Sequence, residues 1–263
     1  MYIYGPIQDQ VYSDFTQAVR NSNNVTKLKI DGENLSTEVE KLGRLSNLYV
    51  LSLNNNQLDS LPSNINEFNN LQYFITANNP LLKLPDNFGL LSNLLELKMY
   101  HTKFDSLPDS FNSLRKLKLL EIQVNKADTL DLDSSFYGLH SLKSILIYSS
   151  TLKSFPKGLA NNRKLEKVNI IKCGLTQIDT SIYENQNITS LILDGNNITE
   201  IDKRILKMKG LKELSLKNNK LTKLPEFLGR MEGIEFIDVS GNNISYYEAE
   251  ILRILLPKVQ IIN

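Results

Sequence analysis

Along the chain, segments in which apolar and polar residues alternate are followed by segments with a looser apolar spacing, and the two together span about 23 residues. From residue 211 the chain reads LKELSLKNNKL, in which leucines alternate with polar residues as they do in a half-buried strand. The segment that follows, LTKLPEFLGRMEG, contains a proline and a looser apolar spacing, which indicates a turn or a short helix. The pattern therefore predicts one short strand and one turn or short helix in each stretch.

The same stretch occurs ten times along the chain. The copies start at residues 25, 48, 71, 94, 117, 142, 165, 188, 211 and 234, so the step is 23 residues everywhere except for one step of 25. Ordering one copy costs more free energy than burying its roughly seven apolar side chains returns. The copies are therefore predicted to fold only by stacking on one another.

Each copy approximates the pattern L-x-x-L-x-L-x-x-N-x-L, and in this pattern the chain resembles the leucine-rich repeat family over residues 25–245. Its abundant Asn and Lys and its Leu-Pro loops are similar to those of bacterial members. The resemblance implies an α/β solenoid, a leucine-rich repeat horseshoe with a parallel sheet on the concave side and loops or 3-10 turns on the convex side.

The ninth position of each copy is polar although it interrupts the apolar pattern. An amide there has donors and an acceptor for the backbone groups that are buried where the strand ends, so we predict a ladder of side-chain hydrogen bonds. The predicted ladder comprises Asn56, Asn79, Asn125, Asn196, Asn219 and Asn242. Thr102, Ser150 and Cys173 are smaller substitutes, and Glu33 departs most. Cys173, the only cysteine, is predicted to be a buried structural thiol.

Both ends of an open solenoid expose apolar edges, so caps are expected there. Residues 1–24 predict an N-terminal capping helix that carries Val11, Phe15, Ala18 and Val19 on one face. Residues 246–263 predict a C-terminal cap with a helix over about 247–256 and a half-strand from Val259 to Ile262. With ten repeats over residues 25–245 between them, the chain is predicted to form one continuous domain.

The fifth copy carries two additional residues, within or near residues 127–141. They predict either a local bulge on the convex side or a contact loop with Phe136 and Tyr137 near its tip. The lysine-rich stretch 203–223 is diluted by acidic residues and is interpreted as a solvated surface, with an anion-binding site as the alternative.

Charge and composition narrow the classes of partner. The chain has 30 basic and 29 acidic side chains, so no overall field attracts it to nucleic acid or to an anionic membrane. No apolar run approaches the roughly 18 residues of a membrane span. The first 24 residues lack the features of a signal peptide. The sequence as it stands predicts a cytoplasmic protein, and a secreted or surface-tethered bacterial protein if a signal was trimmed, so localisation stays open.

Candidate catalytic chemistry is sparse. His101 and His140 are the only histidines, no Cys or His spacing suits zinc, and the chain lacks a glycine-rich phosphate loop. We therefore predict no enzyme activity, no cofactor and no metal.

The outward positions of the predicted concave sheet are apolar or aromatic in the middle copies, where a solvated face needs no such residues. We predict a monomeric, non-enzymatic interaction module or scaffold that binds a protein or peptide ligand there. The predicted binding residues are Tyr73, Ile75, Tyr100, His101, Leu119, Val124, Leu146, Tyr148, Ile171 and Lys172. Strand propensity alone is the alternative explanation, and it suits a structural or adhesin-like spacer. A carbohydrate-binding surface protein is a further alternative, weakened by the absence of tryptophan.

Overall fold

The computed structural model describes residues 10–125 and 129–262, and its central feature is one sheet of twelve parallel strands in sequence order. The sheet and the turns behind it form the predicted α/β solenoid, a leucine-rich repeat horseshoe. The strands are β1 (Val11–Tyr12), β2 (Lys27–Asp31), β3 (Val50–Asn54), β4 (Tyr73–Ala77), β5 (Glu96–Thr102), β6 (Leu119–Val124), β7 (Ser144–Tyr148), β8 (Lys167–Ile171), β9 (Ser190–Ile192), β10 (Glu213–Ser215), β11 (Phe236–Asp238) and β12 (Gln260–Ile262).

In the described part of the chain, the convex side carries a 3-10 helix in eight of the repeats. Their bounds are Val39–Arg44, Ile65–Glu67, Phe88–Leu90, Asp109–Ser113, Lys157–Asn161, Thr180–Glu184, Lys203–Lys207 and Glu226–Arg230. Several begin with a residue that suits a helix start: Asp179 and Asp202 accept hydrogen bonds from N–H groups of the first turn, while Pro108, Pro156 and Pro225 have no N–H to leave unpaired. A further 3-10 helix, Ser22–Asn24, precedes β2.

One continuous apolar core lies between the sheet and the convex turns, and a row of phenylalanines runs through it. The ring centroids of Phe74 and Phe88 are 6.2 Å apart, those of Phe88 and Phe111 are 6.2 Å apart, and those of Phe111 and Phe136 are 6.5 Å apart. Phe136 is fully buried, so its predicted place at the tip of a contact loop is wrong. Its ring continues the stack, whereas the neighbouring Tyr137 is exposed.

The N-terminal segment differs in part from the predicted capping helix. Helix α1 (Phe15–Arg20) buries Phe15 and Ala18, and the Asp14 carboxylate caps it by accepting a hydrogen bond from the Gln17 N–H at 2.7 Å. Val11 lies before this helix, in β1, where it pairs with Lys27 and stays exposed. Placing Val11 on the helix face was therefore wrong, because the segment before Asp14 extends the sheet. Residues 1–9 of the predicted cap lie outside the described residues.

At the other end, helix α2 (Tyr246–Leu255) buries Ala249 and Leu252 against the last repeat. It starts at a capping box in which Ser245 and Glu248 exchange hydrogen bonds. Strand β12 then pairs with β11, and Asn263 lies outside the described residues. None of the helices in residues 10–125 and 129–262 is long and apolar enough to cross a membrane.

The ninth-position ladder exists, with one exception that changes the fifth copy. Met99 of β5 pairs with Ile122 of β6, and the next pair is Thr102 with Val124, so β5 has two residues between these pairs and β6 has one. The N–H of Val124 donates to Ser150 Oγ at 2.8 Å, as the N–H of Asn56 donates to Asn79 Oδ1 at 3.0 Å. Val124 is thus buried in the ladder column, while Asn125 is exposed outside it. The predictions of Val124 as a binding residue and of Asn125 as a ladder residue were both wrong.

Backbone conformation explains this exception. The residues at the eighth position of the other nine copies all have positive φ: Gly32, Asn55, Asn78, His101, Ser149, Lys172, Gly195, Asn218 and Gly241. A β-branched residue is strongly disfavoured in that region, so Val124 does not take the eighth position. The chain of the fifth copy omits the left-handed residue, and Val124 fills the ninth position instead.

The additional residues of the fifth copy lie directly after β6. Leu130 pairs with Leu152, the eleventh residue of the sixth copy, and Asp131 pairs with Ser106, the thirteenth residue of the fourth. Counted along the sequence, the surplus therefore falls between Val124 and Leu130, two residues that the structure describes. Residues 127 and 128 of the predicted insertion lie outside the described residues.

Candidate functional site

The outward side chains of the sheet form the concave face, and the strand register aligns them in rows. In the row of third positions, Tyr73 pairs with Glu96 and Glu96 with Leu119. In the row of fifth positions, Ile75 pairs with Lys98, and Glu121 pairs with Leu146. In the row of seventh positions, Tyr148 pairs with Ile171. The predicted binding residues on these strands therefore do share one face, although charged residues stand between them.

The first apolar group lies on β3 and β4. Tyr73 and Ile75 are half-buried, and Val50 pairs with Tyr73 across the two strands. The ring of Tyr49, just before β3, meets the ring of Tyr73 edge-on, with centroids 5.6 Å apart. Tyr73 thus packs against Tyr49 and is only partly covered. We call Val50, Tyr73 and Ile75 the first island.

The second apolar group lies on β7, β8 and β9 and comprises Leu146, Tyr148, Ile171 and Ile192, all half-buried; we call it the second island. Lys172 stands beside it. Its Nζ is 5.6 Å from the centroid of the Tyr148 ring and 3.4 Å from Tyr148 Oη. A hydrogen bond from Ser149 and the ammonium group of Lys172 both lower the pKa of Tyr148. The second island is therefore apolar with a cationic border.

A polar centre separates the two islands. Lys98 and Glu121 face each other on adjacent strands, with Lys98 Nζ 2.9 Å from Glu121 Oε1. Tyr100 donates a hydrogen bond from its hydroxyl to Glu121 Oε2. Sequence reasoning missed this central pair. The signal was present in the sequence, because opposite charges occupy the fifth position of consecutive copies and such residues are direct neighbours in a parallel sheet.

Two predicted residues lie at the border of the concave face, near the C-terminal ends of their strands. His101 and Lys172 occupy eighth positions with φ of 55° and 54°, where the chain turns away from the sheet. Nδ1 of His101 is 2.7 Å from Nδ2 of the exposed Asn125, so the histidine contacts the start of the surplus segment after β6. Leu119 is half-buried between Glu96 and Ser144 in its row.

The described residues show little that suits catalysis. Within residues 10–125 and 129–262 there is no group of three or more His, Cys, Asp or Glu side chains that could hold a metal ion. Burial raises the pKa of the Cys173 thiol to about 11, so the thiol is protonated at neutral pH and is a poor nucleophile. What the face offers is apolar area with a polar centre, which suits binding.

Comparison with known proteins supports the repeat assignment. A family model described as Leucine rich repeat matches residues 186–244. An internalin, InlF of Listeria monocytogenes, has a similar structure, with a TM-score of 0.77 at 19% identity over 97% of this chain and 73% of that chain. The chain has the leucine-rich repeat fold. A comparison with curated proteins finds no match.

Two further leucine-rich repeat structures were solved as complexes. The TLR13–ssRNA13 complex has a TM-score of 0.73 at 22% identity, covering 89% of this chain and 34% of that chain. The plant peptide hormone receptor RGFR1 in complex with RGF2 has a TM-score of 0.64 at 22% identity, covering 89% of this chain and 46% of that chain. Our leucine-rich repeat chain thus spans less than half the length of either, and identities this low show the fold alone.

Proposed function

We propose that this leucine-rich repeat protein is a non-enzymatic module that binds a protein or peptide partner across its concave face. The observation that carries the proposal is the pair of apolar islands, each with a half-buried tyrosine, on a sheet whose core lies on the opposite side. Tyrosine with aliphatic neighbours is the composition that interface cores favour. The core packing does not require these outward side chains, so their apolar character is available for a partner.

The distance between the islands favours a partner larger than a small molecule. Tyr73 is on β4 and Tyr148 is on β7, so three strand spacings of about 4.8 Å put the two strands roughly 14 Å apart, and the face extends beyond both. A ligand that contacts both islands must also meet the Lys98–Glu121 pair. An extended peptide or a protein surface with apolar residues on either side of a polar group fits this arrangement.

The test uses one tyrosine from each island. Peptides are selected on the full chain from a random displayed library, and their dissociation constants are measured for the wild type and for Tyr73→Ala/Tyr148→Ala. We expect the double variant to bind at least about tenfold more weakly, because interface tyrosines commonly contribute more than about 1 kcal/mol each. Its melting temperature should change little, since both rings are partly solvated and lie outside the core.

The matched control is Tyr246→Ala/Tyr247→Ala, which removes two exposed tyrosines at the start of α2, away from the islands. This control should bind the selected peptides within about twofold of the wild type. If both double variants bind as the wild type does, the outward residues reflect strand propensity only, and the spacer interpretation replaces the proposal.

A further inference from the structure

A row of basic side chains lies along one rim of the sheet, beside the concave face but outside the two islands. They come from three separate stretches of the chain, residues 115–118, 140–143 and 163–167. The set, which we call the basic edge, comprises Arg115, Lys116, Lys118, Lys143, Arg163, Lys164 and Lys167, all of them exposed. Only the stacking of the fifth, sixth and seventh copies brings the three stretches together.

Backbone hydrogen bonds establish the alignment of this rim. The N–H of Lys143 donates to the carbonyl of Lys118 at 2.8 Å, and the N–H of Glu166 donates to the carbonyl of Lys143 at 2.9 Å. These three residues directly precede β6, β7 and β8, whose N-terminal ends lie at one edge because the strands are parallel. At about 4.8 Å per strand, the three positions follow one another within roughly 10 Å.

The basic edge is poorly compensated. The three stretches contain seven basic residues and one acidic residue, Glu166. With His140 neutral, their formal charge is +6, whereas that of the whole chain is +1. Glu166 is 3.3 Å from Lys143 Nζ, but both groups are about half exposed, where such pairs are weak. Lys116 donates to an uncharged acceptor, Asn93 Oδ1, at 2.7 Å.

The lysine-rich stretch 203–223 provides a contrast within the same molecule. There, Lys207 pairs with Glu184, Lys209 lies 3.6 Å from Glu232, and Lys212 lies 2.9 Å from Glu235. With the pair of Arg204 and Asp202, four of the eight basic residues of this stretch are paired with carboxylates, compared with one of seven in the basic edge. The basic edge has more uncompensated charge even though it is less evident in the sequence.

We propose that the basic edge binds an acidic segment, rich in aspartate and glutamate, of the partner that occupies the concave face. The inference rests on the proposed function for the position of that partner. Leu119 and Lys167 are the first residues of β6 and β8, so the rim is continuous with the concave rows. A charged rim beside an apolar interface accelerates association with a partner of opposite charge.

The surroundings of the basic edge favour a peptide over other polyanions. None of the large exposed apolar or aromatic side chains of the described residues falls in the three stretches. Single-stranded nucleic acid is usually held by aromatic rings that stack on bases, and membrane-surface binding needs apolar side chains that enter the lipid. A chain of carboxylates needs neither, because it is recognised by charge alone.

The experiment uses acetylated, amidated and fluorescently labelled octa-aspartate as the probe, with the full chain. The test variant is Lys118→Gln/Lys143→Gln/Lys164→Gln. The control variant is Lys203→Gln/Lys207→Gln/Lys220→Gln, which lowers the net charge equally and also replaces exposed lysines. We expect the test variant to bind the probe at least about tenfold more weakly at low ionic strength, and the control to bind within about threefold of the wild type. Wild-type binding should weaken strongly with salt.

Two further measurements make the result decisive. A nine-nucleotide oligothymidylate carries the same eight charges, and binding at least tenfold tighter than octa-aspartate would assign the edge to nucleic acid and overturn the proposal. Equal losses in the test and control variants would also overturn it, since they would reflect net charge alone. The Tyr73→Ala/Tyr148→Ala variant should retain octa-aspartate while losing the concave-face peptides. Failure of the proposed function is therefore distinguishable from failure of this inference.

Discussion

At the scale of single residues, the ladder asparagines carry out several hydrogen-bonding roles at once. Asn79 Oδ1 accepts from the N–H groups of Asn56 and Leu58 at 3.0 and 3.1 Å, and its Nδ2 donates to the carbonyl of Leu53 at 2.8 Å. All three backbone groups belong to the preceding copy and turn into the core where the strand ends. One side chain thus satisfies polar groups that no strand partner reaches.

Replacing Asn79 tests this role. Asn79→Ala should lower the free energy of unfolding by about 3 kcal/mol or more, because each buried backbone group left without a partner costs about 1–3 kcal/mol. Urea unfolding monitored by circular dichroism measures the loss. The control is Asn125→Ala, which should change stability by less than about 0.5 kcal/mol because Asn125 is exposed outside the ladder. Similar losses in both variants would contradict the assignment of Val124 to the ladder column.

Single residues also explain where sequence reasoning failed. The ninth-position pattern correctly marked most of the ladder, since the same residue type recurs at the same step. It failed at the fifth copy because the pattern was extended over Val124 without regard to backbone conformation. A β-branched residue where other copies carry residues suited to positive φ was the available signal.

At the scale of elements, the convex turns are held by the phenylalanine stack and by close backbone packing. Phe111 lies between Phe88, whose ring is nearly parallel to it at 7°, and Phe136, whose ring meets it edge-on at 69°. Gly89 is so near the next turn that a Cβ would lie 1.7 Å from the carbonyl oxygen of Ser110. The convex side is therefore closely packed although its helices are short.

Removing one ring from the stack should be costly. Phe111→Ala is expected to lower the free energy of unfolding by about 3–5 kcal/mol, because it leaves a cavity between two fully buried rings. Tyr137→Ala is the control on the same convex surface, and its exposed ring should contribute less than about 1 kcal/mol. Denaturant titration of both variants measures the difference. An equal, small effect would show that the convex turns contribute little to stability.

At the scale of the whole molecule, the solenoid is one stack in which each strand pairs only with its neighbours in sequence. Cys173 lies in the seventh copy, where its Sγ is 3.2 Å from the carbonyl of Ile171 and 3.5 Å from that of Ile147. Burial raises the pKa of this thiol to about 11, compared with an ordinary value near 9. Its ionisation is therefore coupled to the opening of the stack.

This coupling predicts a pH dependence of stability. A raised pKa in the folded state means that the contribution is fully present below pH about 9 and is lost as pH rises toward 11. Between pH 8 and 10.5 the wild type should lose about 2 kcal/mol more than Cys173→Ser, which keeps a hydrogen-bonding atom but does not titrate. Unfolding free energies of both proteins at the two pH values measure the difference. Equal losses of unfolding free energy in the two proteins would show that ionisation of the Cys173 thiol does not affect stability.

The sequence by itself determined the repeat, the strand in each copy, the parallel sheet and most of the ladder. These features depend on local alternation and on one step repeated along the chain, so each copy carries the information for its own strand and turn. The outward apolar residues on β4, β7 and β8 were also predictable, because alternation decides which side of a strand faces the core.

The tertiary structure decided the rest. The division of the concave face by Lys98 and Glu121, the burial of Val124 and the assembly of the basic edge all depend on which residues of different copies stand side by side. Which residues stand side by side depends on the register between strands. The fifth copy alters this register because it lacks the residue of positive φ and has additional residues between Val124 and Leu130. Charges distant in sequence become neighbours only when the stack forms, so the pattern within one copy does not reveal them.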